Sequence, residues 1–160
     1  MKTDIILCGV GGQGILSIAT IIGEAAMKEN LYIKQAEVHG MSQRGGDVQS
    51  NLRISSNPIS SDLIPLGGAD VIISDNLTTA MTGGQDSAGT NKFEAICKGL
   101  GLSEDHLKVV NPIPKNMPEI TAAIRDEINY HGVSVIIPRR ECMQTLQRHL
   151  KQKKAKEAQK

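Results

Sequence analysis

The sequence predicts an α/β fold, arranged as a three-layer sandwich around a mainly parallel sheet. Short apolar runs alternate along the chain with segments in which apolar residues recur at helical spacing. Several of these runs are apolar throughout, which is typical of strands buried on both faces of a parallel sheet. Glycine, proline and asparagine mark the ends of many runs. With 160 residues, the chain is long enough to bury a core without disulfides or a structural metal.

The first half of the chain is predicted to form a β–turn–α–β unit followed by two further strands. Residues 4–8 are a short buried strand, and residues 15–29 have the apolar spacing of an amphipathic helix. Residues 32–37 predict a second strand. Residues 47–55 alternate between apolar and polar side chains, which indicates a half-buried strand, and residues 71–74 predict another buried strand.

The second half continues this alternation after a long loop. Residues 77–90 lack a periodic apolar pattern and therefore predict a loop of small residues. The elements predicted after this loop are a helix at 92–98, a strand at 107–110, a helix that begins at Asn116 with Ile120, Ile124 and Ile128 as its buried stripe, a strand at 133–137, and a terminal helix from Glu141.

Composition disfavours several classes of protein. The net charge is +1 and the only aromatic residues are two Tyr and one Phe, so neither a basic field nor stacking platforms indicate nucleic-acid binding. The last ten residues carry five Lys and one Glu, which predicts a solvated helix end. Cys8, Cys97 and Cys142 are too far apart to build a zinc site or an iron–sulfur cluster alone. Isolated cysteines without a signal peptide or a membrane-spanning run predict a cytoplasmic protein.

The most informative motif is CGVGGQGIL, near the N-terminus. Gly9, Gly11 and Gly14 have the G-x-G-x-x-G spacing, and Gly12 and Gln13 lie between them. At a strand-to-helix turn, such glycines permit a tight turn, close approach of a phosphate to the backbone, and strand–helix packing. The pattern alone leaves open a dinucleotide site, a phosphate site and a purely structural turn.

Two further residues bear on these alternatives. Glu37 follows Gly14 by 23 residues and is the candidate for the ribose-binding acidic residue of a dinucleotide site. We therefore keep a nucleotide- or dinucleotide-binding module as an alternative hypothesis. In the glycine-rich segment HGMSQRGG, Arg44 can bind a carboxylate or a phosphate through two hydrogen bonds. A surface charge on a loop is the other interpretation of Arg44.

The pair of motifs GVGGQG and EVHGMSQRGG resembles the gamma-type domain of the 2-oxoacid:ferredoxin oxidoreductases, in particular the beta subunit of indolepyruvate ferredoxin oxidoreductase. The resemblance covers about residues 5–74. It implies a Rossmann-like domain that packs against a catalytic subunit and helps to shape the cleft near coenzyme A or the oxoacid. Under this resemblance the cofactor-binding residues of the first half are Gly9, Gly11, Gly12, Gln13, Gly14 and Arg44.

The resemblance changes in the second half of the chain. DNLTTAMTGGQ, together with VVNPIPKN and VSVIIPRREC, is similar to the C-terminal part of the thiamine-diphosphate-binding domain in the alpha subunit of the same enzyme. This implies that Asn76 and Thr78 are ligands of Mg²⁺. It also implies that the diphosphate is lined by Thr82, Gly83 and Gly84. The Gly-Asp-Gly that opens this motif in the family is absent, so only part of the site is predicted.

The two resemblances together predict a gamma-type half at residues 1–74, a thiamine-diphosphate half at 75–146 and a basic helical tail at 147–160, in one folded unit. They imply a subunit or fragment of an enzyme that converts an arylpyruvate and coenzyme A to acyl-CoA and CO₂ while reducing ferredoxin. Thiamine diphosphate and Mg²⁺ would have only a partial site here, iron–sulfur clusters would lie on a partner subunit, and the isolated chain would be inactive. The implied partners are the catalytic subunit, coenzyme A, the 2-oxoacid and, indirectly, ferredoxin, but neither nucleic acid nor a membrane. A non-catalytic assembly subunit is a further alternative.

The remaining reactive side chains give weaker signals. His39 adjoins the glycine-rich segment of Arg44, and a structural role is favoured over contact with an oxoacid. His106 and His131 lie near the ends of elements and are predicted at the surface. Cys142 follows two arginines that could lower its pKa, but no histidine partner is evident, so a nucleophilic role is disfavoured.

Overall fold

The computed structural model describes residues 1–10, 13–39, 47–75, 77–79, 85–86, 91–141 and 143–157. Within these ranges the chain forms strands, α-helices and two short 3₁₀ helices. The strands are β1 (Lys2–Val10), β2 (Tyr32–His39), β3 (Asp47–Ser55), β4 (Asp70–Ile73), β5 (Thr78–Thr79), β6 (Gln85–Asp86), β7 (Leu107–Val110) and β8 (Val135–Pro138). The helices are α1 (Ile15–Lys28), α2 (Phe93–Gly99), α3 (Met117–Asn129) and α4 (Met143–Glu157), with 3₁₀ turns at Glu104–His106 and Pro114–Asn116.

Six of the strands form one mixed sheet in the order β2–β3–β1–β4–β8–β7. β1 pairs in parallel with β4, β4 with β8 and β8 with β7, whereas β3 runs antiparallel to both β1 and β2. The predicted α/β fold is therefore confirmed, with a sheet that is parallel from β1 to β7 and antiparallel around β3. The alternating pattern of Asp47–Ser55 is typical of an antiparallel strand with one solvated face, and this strand is the exception to the predicted parallel sheet.

The helices cover both faces of the sheet. α1 connects β1 to β2 and α3 connects β7 to β8, whereas α2 leads from β4 to β7 in the opposite direction across the sheet. Right-handed crossovers place α1 and α3 on one face and α2 on the other. The register agrees with this arrangement. Leu7, in the cluster beneath α1, aligns with Ile72 of β4. Val135, in the cluster beneath α2, aligns with Val71. Because Val71 and Ile72 are successive residues of one strand, they point to opposite faces of the sheet.

The apolar core consists of two clusters, one on each face. The cluster beneath α1 contains Ile5, Leu7, Ile15, Ala19, Ala26, Leu52 and Ile54. The cluster beneath α2 contains Cys97, Val135 and Ile137, with Val71, Ile73, Phe93, Leu102 and Leu107 partly buried around it. Each fully buried aliphatic side chain stabilises the fold by about 1.5–3 kcal/mol relative to an exposed one, so burial on both faces fixes the sheet between its helices.

Predicted and observed boundaries of the elements agree to within two residues, and two other features differ. Part of 77–90 is not a structureless loop, because β5 and β6 pair antiparallel as a small separate sheet. In α3, Ile120 is buried as expected, but Ile128 is 37% exposed. Glu127 takes the buried position instead, since its carboxylate hydrogen-bonds the ring of His106 at 2.9 Å.

α4 carries the basic residues near the end of the chain. The side chains of Arg148, Lys151 and Lys153 are all exposed to solvent. Within the described ranges, the chain has no helix that combines the length and the hydropathy needed to cross a membrane.

Candidate functional site

The carboxyl ends of β1 and β4 mark the point at which the chain connections diverge. From β1 the chain continues into α1 on one face, and after β4 it reaches α2 on the other face. In open α/β sheets, ligands bind in the crevice outside the carboxyl ends of two such strands. The backbone N–H of Ser74 donates to the carbonyl of Cys8 at 2.9 Å, so the segments after β1 and β4 leave the sheet side by side. This crevice is the candidate functional site.

One side of the crevice is the glycine turn at residues 9–14. Gln13 holds this turn through both its side chain and its backbone. Gln13 Oε1 accepts the backbone N–H of Val10 at 2.9 Å, and the N–H of Gln13 donates to the carbonyl of Val10 at 3.1 Å. The side chain of Gln13 therefore folds back over Gly9. A Cβ atom on Gly9 would overlap Gln13 Oε1 and would lie 3.0 Å from Ile15 Cδ1.

This geometry explains two of the predicted glycines by packing and backbone conformation. Gly9 allows Gln13 to close the turn, and Gly14 has φ of +80°, a conformation that glycine adopts without the penalty of a Cβ. The acceptor oxygen of Gln13 is already used inside the turn, so any ligand contact would depend on its amide nitrogen. Gly11 and Gly12 lie outside the described residues, and phosphate binding by the turn remains a prediction.

The other side of the crevice is an ionic cluster of Asp75, Glu94 and Arg139, here called the Arg139 clamp. Arg139 Nε donates to Asp75 Oδ2 at 2.6 Å, and its two terminal nitrogens donate to the two oxygens of Glu94 at 2.7 Å each. Asp75 also accepts the backbone N–H of Leu77 at 3.0 Å through Oδ1. The clamp thus joins the segment after β4, the first turn of α2 and the end of β8.

The backbone sets the position of the clamp. Beyond the paired residues of β4 and β8, Asp75 and Arg139 form a further parallel bridge. The N–H of Asp75 donates to the carbonyl of Pro138, and the N–H of Arg140 donates to the carbonyl of Asp75, both at 3.1 Å. Neighbouring parallel positions project their side chains to the same face, so the guanidinium and the carboxylate meet where the sheet ends.

The electrostatics of the clamp are those of a satisfied ion pair. Hydrogen bonds from Arg139 lower the pKa of Glu94 to about 2. The same bonds, first those to Glu94 and then those to Asp75, raise the pKa of Arg139 above its ordinary value. Asp75 is 3% exposed, and such a carboxylate needs a partner because burial of a lone charge is costly. Every nitrogen of the Arg139 guanidinium donates to a carboxylate, so the clamp serves structure rather than the capture of an anionic substrate.

The described residues do not fit a complete site for thiamine diphosphate with Mg²⁺. The carboxylate beside Asn76 belongs to Asp75, and it is already engaged by Arg139 and by the backbone. Across the described ranges, no group of three or more His, Cys, Asp or Glu side chains could hold a metal ion. Thr78 lies in β5, where it pairs with Asp86, but Asn76 lies outside the described residues. The metal-ligand roles of Asn76 and Thr78 remain predictions.

The other predicted binding residues of the second half also lie outside the described residues. These are Thr82, Gly83 and Gly84, and in the first half the same holds for Arg44. Their assignment to a diphosphate or an oxoacid carboxylate therefore remains a prediction.

The dinucleotide alternative loses its main support in the sheet order. Glu37 lies on β2, and β3 separates β2 from β1. With β3 between them, β2 lies two strand spacings from β1, which is one spacing of about 4.8 Å farther than an adjacent β2 would lie. Glu37 also accepts a hydrogen bond from Gln35 at 2.7 Å on the same strand. The acidic residue is thus not beside the turn, where the ribose of a dinucleotide would need it.

The structure places His106, one of the weaker sequence signals, and also Cys8. His106 is not a plain surface residue, because its ring stacks on Tyr130 with centroids 3.4 Å apart and bonds the buried Glu127. The thiol of Cys8 has its pKa raised to about 11 by burial and by the nearby Cys97. It is therefore protonated at neutral pH and a poor nucleophile. Cys142 lies outside the described residues.

Sequence reasoning missed the Arg139 clamp entirely. Glu94 precedes Arg139 by 45 residues, and Asp75 precedes it by 64. No spacing rule for helices or strands connects side chains so far apart. The signal that was available is a charged residue within two positions of the end of each of two predicted buried strands, which a parallel arrangement brings to one edge of the sheet.

A family model described as pyruvate ferredoxin/flavodoxin oxidoreductase matches residues 4–96, more than half of the chain. The chain belongs to this family. The match extends from β1 across the glycine turn to α2, and it includes Asp75 and Glu94 of the clamp but not Arg139. The resemblance inferred from the two glycine motifs is confirmed at the level of the family.

Relatives in this oxidoreductase family include two kinds of subunit. The indolepyruvate oxidoreductase subunit IorB of Methanothermobacter thermautotrophicus is 47% identical over 73 residues, which cover 46% of this chain and 36% of that protein. IorB of Archaeoglobus fulgidus is 49% identical over 73 residues, covering 46% and 35%. The subunit IorA of Archaeoglobus fulgidus is 34% identical over 83 residues, covering 45% of this chain and 13% of that protein. The chain thus spans about a third of the length of these IorB relatives.

Among solved structures, the 2-oxoglutarate:ferredoxin oxidoreductase from Magnetococcus marinus superimposes with a TM-score of 0.47 and 17% sequence identity, over 84% of this chain and 19% of that chain.

Proposed function

We propose that the chain is a subunit or fragment of an indolepyruvate ferredoxin oxidoreductase, and that it acts only in complex with a catalytic partner subunit. The observation that carries the proposal is the identity of 47–49% with IorB subunits over 73 residues, within a family match at residues 4–96. The additional similarity to IorA supports the presence of material from both kinds of subunit in one chain. The division into a gamma-type half at 1–74 and a thiamine-diphosphate half at 75–146 belongs to this proposal.

The proposed reaction is the oxidative decarboxylation of an arylpyruvate. In the complete enzyme, the bond between the carboxylate and the 2-oxo carbon would break, CO₂ would leave, and ferredoxin would accept the two electrons released. The acyl group is transferred to the thiol of coenzyme A. Thiamine diphosphate supplies the stabilisation of the carbanion in such decarboxylations and, with the clusters, belongs to the partner in our proposal.

The contribution of this chain is positional. The glycine turn and the Arg139 clamp form the two sides of the crevice at the carboxyl edge of the sheet, where the partner would complete the substrate cleft. Asp75 is engaged by Arg139 and cannot replace the missing aspartate of the Gly-Asp-Gly motif without breaking the clamp. We therefore expect the isolated chain to have no turnover.

The test is an assay of dye reduction that depends on an arylpyruvate and coenzyme A. The purified chain should give none, even with thiamine diphosphate and Mg²⁺ present. It should copurify with the IorA-type large subunit of the same cell and raise the turnover of that subunit. Turnover by the chain alone, or failure to bind the large subunit, would contradict the proposal.

A matched pair of arginine variants tests the substrate side of the proposal. Arg44→Met should lower kcat/KM of the complex for the oxoacid by about tenfold or more, because a charge-assisted bond to a carboxylate is lost. Arg125→Met, on the exposed face of α3, is the control and should leave activity unchanged. If Arg44→Met weakened subunit binding but not kcat/KM, the non-catalytic assembly role would be favoured.

A further inference from the structure

One edge of the sheet is an eight-residue strand with exposed apolar side chains. Among the residues that the structure describes, β2 pairs with β3 alone and lies at one end of the sheet order. Ile33 packs into the cluster beneath α1, and residues an even number away from Tyr32 therefore point to the other face. On that face Tyr32 is 50% exposed and Val38 is 61% exposed. Such an edge is a template for pairing with another strand.

Helix α1, which lies over this edge, carries a stripe of residues on the side that faces outward past β2. Leu16, Thr20, Gly23 and Met27 recur at intervals of four, three and four residues, which places them on one side of α1. A Cβ on Gly23 would lie 3.3 Å from Ile33 Cδ1, so this side of α1 lies over β2. At the two ends of the stripe, Leu16 is 38% exposed and Met27 is 59% exposed.

We propose that β2 pairs antiparallel with β2 of a second copy of this chain, about a twofold axis that passes through Gln35. An axis perpendicular to the sheet keeps each face on its own side, so Gln35 meets Gln35 of the second copy and Tyr32 meets its Val38. The pairing is symmetric, so Tyr32 of each copy packs on Val38 of the other, and neither side chain stays exposed. Aromatic and β-branched residues in such cross-strand pairs stabilise sheets by packing on one another. This inference does not depend on the proposed enzymatic function.

Shifting the twofold axis by one residue in either direction gives less favourable side-chain pairs. An axis through Ala36 would set Lys34 against Val38 and leave Tyr32 beyond the paired residues. An axis through Lys34 would set two ammonium groups against each other. In the proposed register Lys34 faces Ala36, and its ammonium is held by the carbonyl of Ser60 on its own chain at 3.3 Å. The lysine that usually protects an edge strand is therefore directed away from the axis.

The helices extend the interface beyond the strands. Twofold symmetry places both copies of α1 on the same face of the joined sheet, with the stripes of Leu16 and Met27 turned toward the axis. A stable interface buries about 1,200 Å² or more in total, and the flexible side chain of Met27 can fill the space between the two helices. Strand pairing sets the register, and the contact between helices adds apolar area.

Sedimentation equilibrium of the full chain tests the proposal. The chain should be dimeric at micromolar concentration. Val38→Lys and Met27→Lys should each raise the dimer Kd by about tenfold or more, because each places a charge in an apolar contact. Leu100→Lys changes a side chain that is 84% exposed and far from β2, and should leave Kd unchanged. A monomer at all concentrations, or a dimer that both β2-side variants leave intact, would overturn the proposal.

Disulfide trapping tests the register. With Gln35→Cys, the two new thiols would face each other across the axis at a Cα separation of about 4.5–5.5 Å, within the range for a disulfide. Mild oxidation with diamide, which takes up the two thiol protons and two electrons, should therefore give a covalent dimer. Glu37→Cys lies on the same face, but its counterpart is about four residues away, roughly 13 Å, and should not cross-link. The opposite pattern, or cross-linking of the unmodified chain, would contradict the proposed axis.

Discussion

The two sides of the crevice are built in opposite ways. The glycine turn is local: Gly9, Val10, Gln13 and Ile15 lie within seven residues, joined by one backbone hydrogen bond and by the folded-back side chain of Gln13. The Arg139 clamp is non-local, because it joins carboxylates that precede Arg139 by 64 and 45 residues. The first involves only neighbours in the chain, whereas the second joins residues that come together only in the assembled sheet.

The two constructions place different demands on the chain. The turn needs glycine at Gly9 because the space there is limited, and at Gly14 because the backbone there has a positive φ. The clamp needs a matched set of charges, because Asp75 and Glu94 share one guanidinium and each would be left with an uncompensated carboxylate if Arg139 were lost. A substitution on either side should therefore reveal whether that side depends on space or on charge.

The largest effect is expected from Arg139→Met. The substitution keeps the unbranched stem of the side chain but leaves the carboxylate of Asp75, which is 3% exposed, without its cation. Loss of one partner of a buried ion pair costs about 3–5 kcal/mol, and we expect about 2–3 kcal/mol here because Arg139 and Glu94 are partly solvated. Urea unfolding measures this change, with Arg125→Met on α3 as the control.

A second substitution shows whether charge is the cause. Asp75→Asn in the Arg139→Met background should recover part of the lost stability, because the uncompensated buried charge disappears. If the double variant is less stable than Arg139→Met alone, Asp75 acts through hydrogen bonds other than those to Arg139, and the account of the clamp is wrong.

The same contrast explains what could be predicted from the sequence. The strands, the helices and the glycine turn are specified by neighbours in the chain, through apolar spacing and the need for glycine at Gly9 and Gly14. The order of the sheet was not predictable in this way, because the insertion of β3 between β1 and β2 depends on pairing across the fold. The clamp was missed for the same reason, since its three members come together only when β4, α2 and β8 are in place.

Buried polar groups in the second half also escaped prediction. The spacing of Ile120, Ile124 and Ile128 predicted a purely apolar stripe on α3, but Glu127 occupies the buried position. Its carboxylate is satisfied by His106 at 2.9 Å and lies 3.6 Å from the ammonium of Lys108. The spacing of apolar residues along a helix gives no sign of a buried charge whose partners come from a distant part of the chain.

A smaller effect is expected from Gly9→Ala, which tests space on the local side. The new methyl group overlaps Gln13 Oε1 and must displace the amide from its hydrogen bond with Val10. Loss of the bond and crowding against Ile15 should cost about 1–2 kcal/mol in thermal or urea unfolding. Gly99→Ala, where a Cβ meets nothing within 4 Å, is the matched control and should be neutral or slightly stabilising.

The interaction between Gly9 and Gln13 should be measurable as a coupling energy. In a Gln13→Ala background the atom that collides with the new methyl group is absent, so Gly9→Ala should cost about 1 kcal/mol less than in the native chain. Additive effects in this double-mutant cycle would mean that Ile15, not Gln13, limits the space at Gly9.

The smallest effect is a dependence on pH that belongs to the clamp and is absent from the turn. Arg139 lowers the pKa of Glu94 from 4.5 to about 2. Because the folded-state pKa lies below the unfolded value, the stabilisation is fully present above pH 4.5 and is lost as the pH falls toward 2. The difference in unfolding free energy between the native chain and Glu94→Gln should therefore shrink across this window.

Glu119→Gln on the exposed surface of α3 controls for the general effect of acid, and Gly9→Ala should keep a constant difference from the native chain. A constant difference for Glu94→Gln as well would show that Arg139 binds Glu94 by shape and hydrogen bonding alone, and that the two sides of the crevice do not differ in their use of charge.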